Sequence, residues 1–196
     1  PIGVSTHTIG PEPTGGVRVL VTADVGQGLT GPLDVRAAIL LTDMSGRIIA
    51  VTPVEKQRLS VPAGRNGSAS YLSTVTLRPG DYNLRLAVAD PLGRVGCVDH
   101  PFSVALVPGE GVTLGGLLLL RPSRSAQDEP APLADGLVRG NEVDLHLEFV
   151  PRGAGTPTVT MGIADKPGGE LMVQAKAAVA RKGARGRSSA DGRLDV

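Results

Sequence analysis

Apolar and polar residues alternate with period two through most of this chain, and that pattern restricts it to paired strands. Val17, Val19, Val21 and Ala23 fall on one face of an extended segment, with Arg18, Thr22 and Asp24 on the other. Val35, Ala37, Ile39 and Leu41 repeat the arrangement, with Arg36 and Thr42 opposite. Tyr71, Ser73, Val75 and Leu77 alternate with Thr74 and Thr76, and Tyr82, Leu84, Leu86 and Val88 with Asn83 and Arg85. Successive side chains on a strand point to opposite faces, so each run buries one side and wets the other. Val, Ile and Thr suit such a pleated surface. No stretch before residue 170 combines a helical period with caps.

The punctuation between these runs also repeats. Asp43-Met44-Ser45-Gly46, Asp90-Pro91-Leu92-Gly93 and Asp165-Lys166-Pro167-Gly168 each separate two apolar runs. Asp hydrogen-bonds its own turn and Gly supplies positive φ, so three β-hairpins are predicted. Their recurrence in both halves suggests two related units. A different turn, Pro79-Gly80, precedes Tyr82. In Greek-key sandwiches a Tyr at such a corner bonds back to upstream backbone, and Tyr82 is expected to do so.

Composition decides what fills the layers. Among 196 residues there are two Tyr, two Phe and no Trp, so the core must be Val, Leu, Ile and Ala. The 27 Gly and 16 Pro mark frequent turns, while the apolar runs between them argue against disorder. A formal net charge of +1 gives no overall field to attract nucleic acid. The lone Cys97 excludes an intrachain disulfide and a Cys-based zinc site. Leu114 to Leu120 is far shorter than the ~20 residues that span a bilayer.

These signals predict an all-β chain of two immunoglobulin/fibronectin-like antiparallel β-sandwich units in tandem, the second incomplete. Residues 1–14 read as a leader strand or linker and 15–106 as the first sandwich. Residues 107–136 read as a connector holding a strand and a Pro-rich loop, and 137–196 as a truncated second unit. Within the connector, Gly109 to Gly116 reads as a linker, since it lacks the Lys-Ser/Thr of a phosphate loop. Leu117 to Leu120 reads as a strand buried on both faces or crossing between units. The run Arg181 to Arg187 reads as a flexible basic loop, Ala190-Asp191-Gly192 as a turn, and Arg193 to Val196 as the opening of a strand. A start at Pro1 and a stop just after that turn suggest a piece of a longer protein.

The stretch Leu77-Arg-Pro-Gly-Asp-Tyr-Asn-Leu-Arg-Leu-Ala-Val-Ala-Asp-Pro-Leu-Gly-Arg-Val-Gly-Cys-Val-Asp-His-Pro101 resembles the β-rich C-terminal region of bacterial VWFA-related proteins. Val17 to Val25 and Asp135 to Asn141 are similar to the same region. The resemblance implies a sandwich appended to a von Willebrand factor type A domain, in an extracytoplasmic protein: periplasmic, cell-surface or secreted. That domain's metal motif is Asp-x-Ser-x-Ser. The nearest match here, Asp43-Met44-Ser45-Gly46-Arg47, lacks the second Ser and reads as a hairpin turn. The resemblance carries over no catalytic residue.

Several residues invite chemistry. Asp144, His146 and Glu148 alternate along one strand, with same-face neighbours ~6.5 Å apart, so a carboxylate–imidazole–carboxylate set could hold a divalent metal. A solvated strand face produces the same pattern, and no fourth ligand is identifiable. Asp99 and His100 are adjacent and so face opposite ways on a strand. Cys97 falls on the side away from His100 and reads as structural. His7 stands alone. Asn66-Gly67-Ser68 matches a glycosylation sequon, but Asn-Gly reads first as a turn. The 181–187 run has no interleaved aromatics for stacking on nucleic acid. No nucleophile elbow or cofactor loop stands out, so no enzyme and no cofactor is expected.

The expected function is a non-catalytic structural or protein-interaction module of a larger envelope or secreted protein. Its partner would be a protein or a neighbouring domain, with no nucleic acid and no membrane insertion. The alternative is a carbohydrate- or metal-binding accessory module of a secreted hydrolase.

Overall fold

Alternation becomes strand wherever the chain is described in the computed structural model. The described residues are 2–12, 15–29, 31–59, 67–122, 132–133, 138, 140–152, 157–182 and 187–195. Among them are fifteen strands and no helix, and the strands from Leu33 onward that pair with one another do so antiparallel. Accordingly, no helix among them is long and apolar enough to cross a membrane. The chain is all-β, in two sandwich-type units with aliphatic cores. By contacts the first unit takes residues 1–6 and 19–104, the second 7–18 and 105–196.

The boundary therefore cuts through two strands, β1 (Ile2–Pro11) and β2 (Val17–Leu29), and each serves both units. Residues 1–14, read as a leader or linker, supply a ten-residue strand to a sheet of order β1-β2-β6, where β6 is Gly67–Leu77.

In the first unit β3 (Leu33–Asp43), β4 (Ile48–Val51), β7 (Gly80–Ala89) and β8 (Val95–Val104) form a sheet in the order β4-β3-β7-β8. β5 (Glu55–Leu59) pairs with the first half of β3. The β3–β7 register sets Ile39 against Leu86 and Leu41 against Leu84, all fully buried. Val19, Val21 and Ala23 on β2 and Ala69 and Tyr71 on β6 supply further buried side chains. Each buried Val, Leu or Ile contributes about 1.5–3 kcal/mol, so the in–out pattern drives the layering.

The three expected hairpins form, as β3–β4, β7–β8 and β12–β13, where β12 is Thr160–Ala164 and β13 Leu171–Lys176. Gly46, Gly93 and Gly168 hold positive φ of 86°, 78° and 75°. The Tyr82 corner forms too: its hydroxyl donates to the Arg78 carbonyl at 2.9 Å.

In the second unit β9 (Val107–Gly109), β10 (Val112–Leu120), β11 (Glu142–Pro151), β14 (Ala178–Lys182) and β15 (Arg187–Asp195) form a sheet of order β14-β15-β11-β10-β9. Val143, Leu145, Phe149, Ala190 and Leu194 make its core with Met161 of the β12–β13 hairpin.

This sheet corrects several expectations. The Gly109–Gly116 linker is a β9–β10 hairpin, and the strand expected within the connector is part of the second unit's sheet. Leu117–Leu120 lies within β10 and is not buried on both faces, since Leu117 is exposed. Ala190-Asp191-Gly192 is strand interior, because Ala190 and Leu194 need the core face while Asp191 and Arg193 take the other. Arg193 to Asp195 end β15 rather than open a strand. At the ends of the basic run, Arg181 pairs with Ser188 and Lys182 with Arg187. Residues 183–186 lie outside the described residues, as do Asn66 of the sequon and most of the Pro-rich loop.

Candidate functional site

Asp144, His146 and Glu148 share one face of β11, as alternation requires, and β15 determines what they meet. The register places Arg193 opposite Asp144, Asp191 opposite His146 and Ser189 opposite Glu148. Arg193 donates to Asp144 through Nε at 2.5 Å and Nη2 at 2.8 Å, a bidentate fork. The Asp144 carboxylate pushes the guanidinium pKa of Arg193 up. His146 Nδ1–H donates to Asp191 Oδ1 at 2.6 Å, since a carboxylate only accepts. The other ring nitrogen stands 3.8 Å from Glu148 Oε1. Glu148 in turn accepts a hydrogen bond from Arg18 Nη2, and Arg18 Nη1 lies 3.6 Å from Glu12.

The three side chains thus face three partners rather than one shared point. Among the described residues no group of three or more His, Cys, Asp and Glu is arranged to hold a metal ion. Nor is the face simply solvated. Leu118, opposite His146, is buried, and so is Ser189.

The cover is β1, and two glycines admit it. A Cβ on Gly115 would collide with the Ile9 carbonyl, and one on Gly116 would sit 2.8 Å from the Thr8 oxygen. Gly10 likewise lies against Glu148. The β10–β11 register shifts between Leu114 and Leu117, so the Gly pair forms a bulge under the crossing backbone.

The remaining sequence candidates separate. Asp99 faces outward and accepts from Arg85 Nε and Nη2 at 2.7 and 2.8 Å. That guanidinium holds the Asp99 carboxyl below its usual range. His100 points the other way, its Nε2 hydrogen-bonded to Thr6 Oγ1 at 3.2 Å and its ring stacked on Phe102. Burial pushes the His100 imidazole pKa down. Cys97 is exposed, on the face away from His100. His7 lies in β1 and is half-buried.

In the Asp43–Arg47 motif the Asp43 carboxylate accepts from the Ser45 amide and hydroxyl and from the Arg47 amide and Nε. The Ser45 hydroxyl is the chief cause of a lowered Asp43 pKa. The carboxylate is spent closing a turn. Asp90 serves Arg94 the same way, at 2.9 and 2.6 Å.

Sequence reasoning missed two features. One is Arg18, which alternation placed on a solvent face and which reaches Glu148 across 130 residues. The other is a cleft lined by Arg36, Lys56 and Arg58. The polar run Glu55-Lys56-Gln57-Arg58 was its only signal, and its strand partner decides what it lines. No family model matches the chain, and no curated protein matches it.

Proposed function

We propose that the chain is a non-catalytic structural and protein-interaction module of a larger envelope or secreted bacterial protein. One observation carries this reading, the edge of the first unit's sheet at which β4 has no further strand beside it among the described residues. β4 ends that sheet and reads Ile48-Ile49-Ala50-Val51, with Ile48 61% and Val51 62% exposed. Met44 and Val54 on either side are exposed as well. Edge strands in lone domains are usually blunted by charge, Pro or a bulge. This one has a register shift opposite Leu41 and Thr42 but no charge or Pro between Arg47 and Pro53, so its Ile48–Val51 edge suits an extended aliphatic segment of a partner protein added as a further strand.

The immunoglobulin-like character of the first unit rests on the Tyr82 corner. The extracytoplasmic setting rests on the resemblance of residues 77–101 to VWFA-related proteins. The non-catalytic reading draws on Asp144, His146 and Glu148, which are engaged by Arg193, Asp191 and Arg18.

Selection of displayed peptides against the whole chain tests the reading. Enriched sequences should be extended and aliphatic, and Val51→Lys should abolish their binding while circular dichroism stays unchanged. No enrichment, or binding indifferent to Val51→Lys, overturns it.

A further inference from the structure

A cleft of about 510 Å³ opens in the first unit where the start of β3, β5 and the end of β7 meet. Its volume is in the range of small-molecule sites. The β3–β5 register sets Arg36 directly opposite Lys56 and Asp34 opposite Arg58. Like charges facing each other across a strand pair destabilise a sheet. Neither Arg36 nor Lys56 is relieved by an ion pair among the described residues, and Arg58 has none either. Asp90, also on the wall, is occupied by Arg94. Three cations therefore answer to Asp34 alone, leaving a local surplus of two positive charges around a concavity. The chain as a whole carries only +1. A rule broken locally, with no compensation inside the fold, is the pattern expected of a binding site.

We propose that this cleft binds a small phosphorylated molecule through its phosphate, clamped by Arg36, Lys56 and Arg58. Two guanidinium forks and an ammonium match the oxygens of a phosphate group, whose charge near pH 7 equals the surplus. Arg36 projects from β3, which is paired on both sides, so this arm of the clamp stands on a strand held by both neighbours. Peptide docking at β4 and phosphate binding here use different residues, and either can fail without the other.

Amide chemical shifts followed while the whole chain is titrated test the proposal. The probes are inorganic phosphate and glycerol phosphate at low ionic strength, with sodium chloride as the matched control. Saturable shifts are expected at residues 34–36, 56–58 and 89–91 with both phosphates and not with chloride. Arg36→Gln should weaken binding roughly ten- to a hundredfold, the loss of a charged hydrogen bond. Arg47→Gln removes the same charge from a side chain already paired with Asp43, and should leave the affinity unchanged. Shifts that follow ionic strength alone, a glycerol phosphate that fails to bind, or equal losses in the two variants would overturn the proposal.

Discussion

Two polar strand faces in this chain look alike in sequence and differ in what lies over them. On β7 and β8, Arg85 and Asp99 stand opposite each other, 54% and 47% exposed. On β11, Glu148 pairs with Arg18 of β2, and the two side chains are only 12% and 25% exposed. The first pair sits in water, where screening and side-chain entropy leave little net stabilisation. The second lies beneath β1, whose backbone passes over Gly115 and Gly116. Alternation therefore says which side a residue takes and not whether that side is wet.

The sharpest way to break this comparison is to obstruct the crossing. Gly115→Val places a side chain against the Ile9 carbonyl, which is backbone and cannot rotate away. A loss of roughly 3 kcal/mol or more is expected, at the upper end for overpacking. Gly3→Ala, in the same β1 strand, meets nothing within 4 Å and should be near neutral. Urea unfolding of both variants checks this. If they unfold together, β1 does not cover the β11 face.

The next effect comes from the ion pairs. Arg18→Met takes a charged donor away from the covered Glu148 carboxylate and should cost about 1–3 kcal/mol. Arg85→Met should leave the unfolding midpoint within error, since Asp99 stays hydrated. Equal losses would mean that burial does not separate the two faces.

The ease of reading different parts of the chain follows from the range of the forces involved. The hairpins and the Tyr82 corner were legible because their bonds join residues two to four apart: Ser45 to Asp43, Arg94 to Asp90, Tyr82 to Arg78. The aliphatic cores were legible because Val35, Ile39, Leu84 and Leu86 alternate strictly. Gly115-Gly116 was misread because a flexible linker and a bulge under a crossing strand leave the same two letters. Asp191-Gly192 was misread because an Asp-Gly pair signals a turn until a partner such as His146 claims the Asp. The shared face of Asp144, His146 and Glu148 was legible, and their partners were not. Arg193, Asp191 and Arg18 lie 49, 45 and 130 residues away.

A smaller effect is expected at the turns, and it separates two hairpins of the first unit from the one in the second. Gly46 and Gly93 are each followed by an Arg that returns to the turn's Asp. Gly168 is followed by Gly169, which closes instead on the Lys166 carbonyl at 3.0 Å. Gly93→Ala forces a side chain into left-handed backbone and should cost about 1–2 kcal/mol. Asp90→Ala in that background should add little, because the strained turn no longer presents its amides to the carboxylate. Additive losses in a double-mutant cycle would show that the Asp and the Gly act independently.

The smallest expected effect is the pH dependence at His100. Burial lowers its pKa in the folded state below the ordinary 6.5, while the unfolded chain titrates near that value. As pH falls through 6.5 the unfolded state takes up a proton that the folded state refuses. Stability therefore declines from there down to the folded pKa and then levels off. His100→Asn removes this contribution, so the urea midpoint of the variant should fall less than that of the wild type between pH 7.5 and 5. Every other ionisable group is common to the two proteins, so the difference isolates His100. Identical slopes would mean that His100, though stacked on Phe102 and bonded to Thr6, accepts its proton as freely in the fold as outside it.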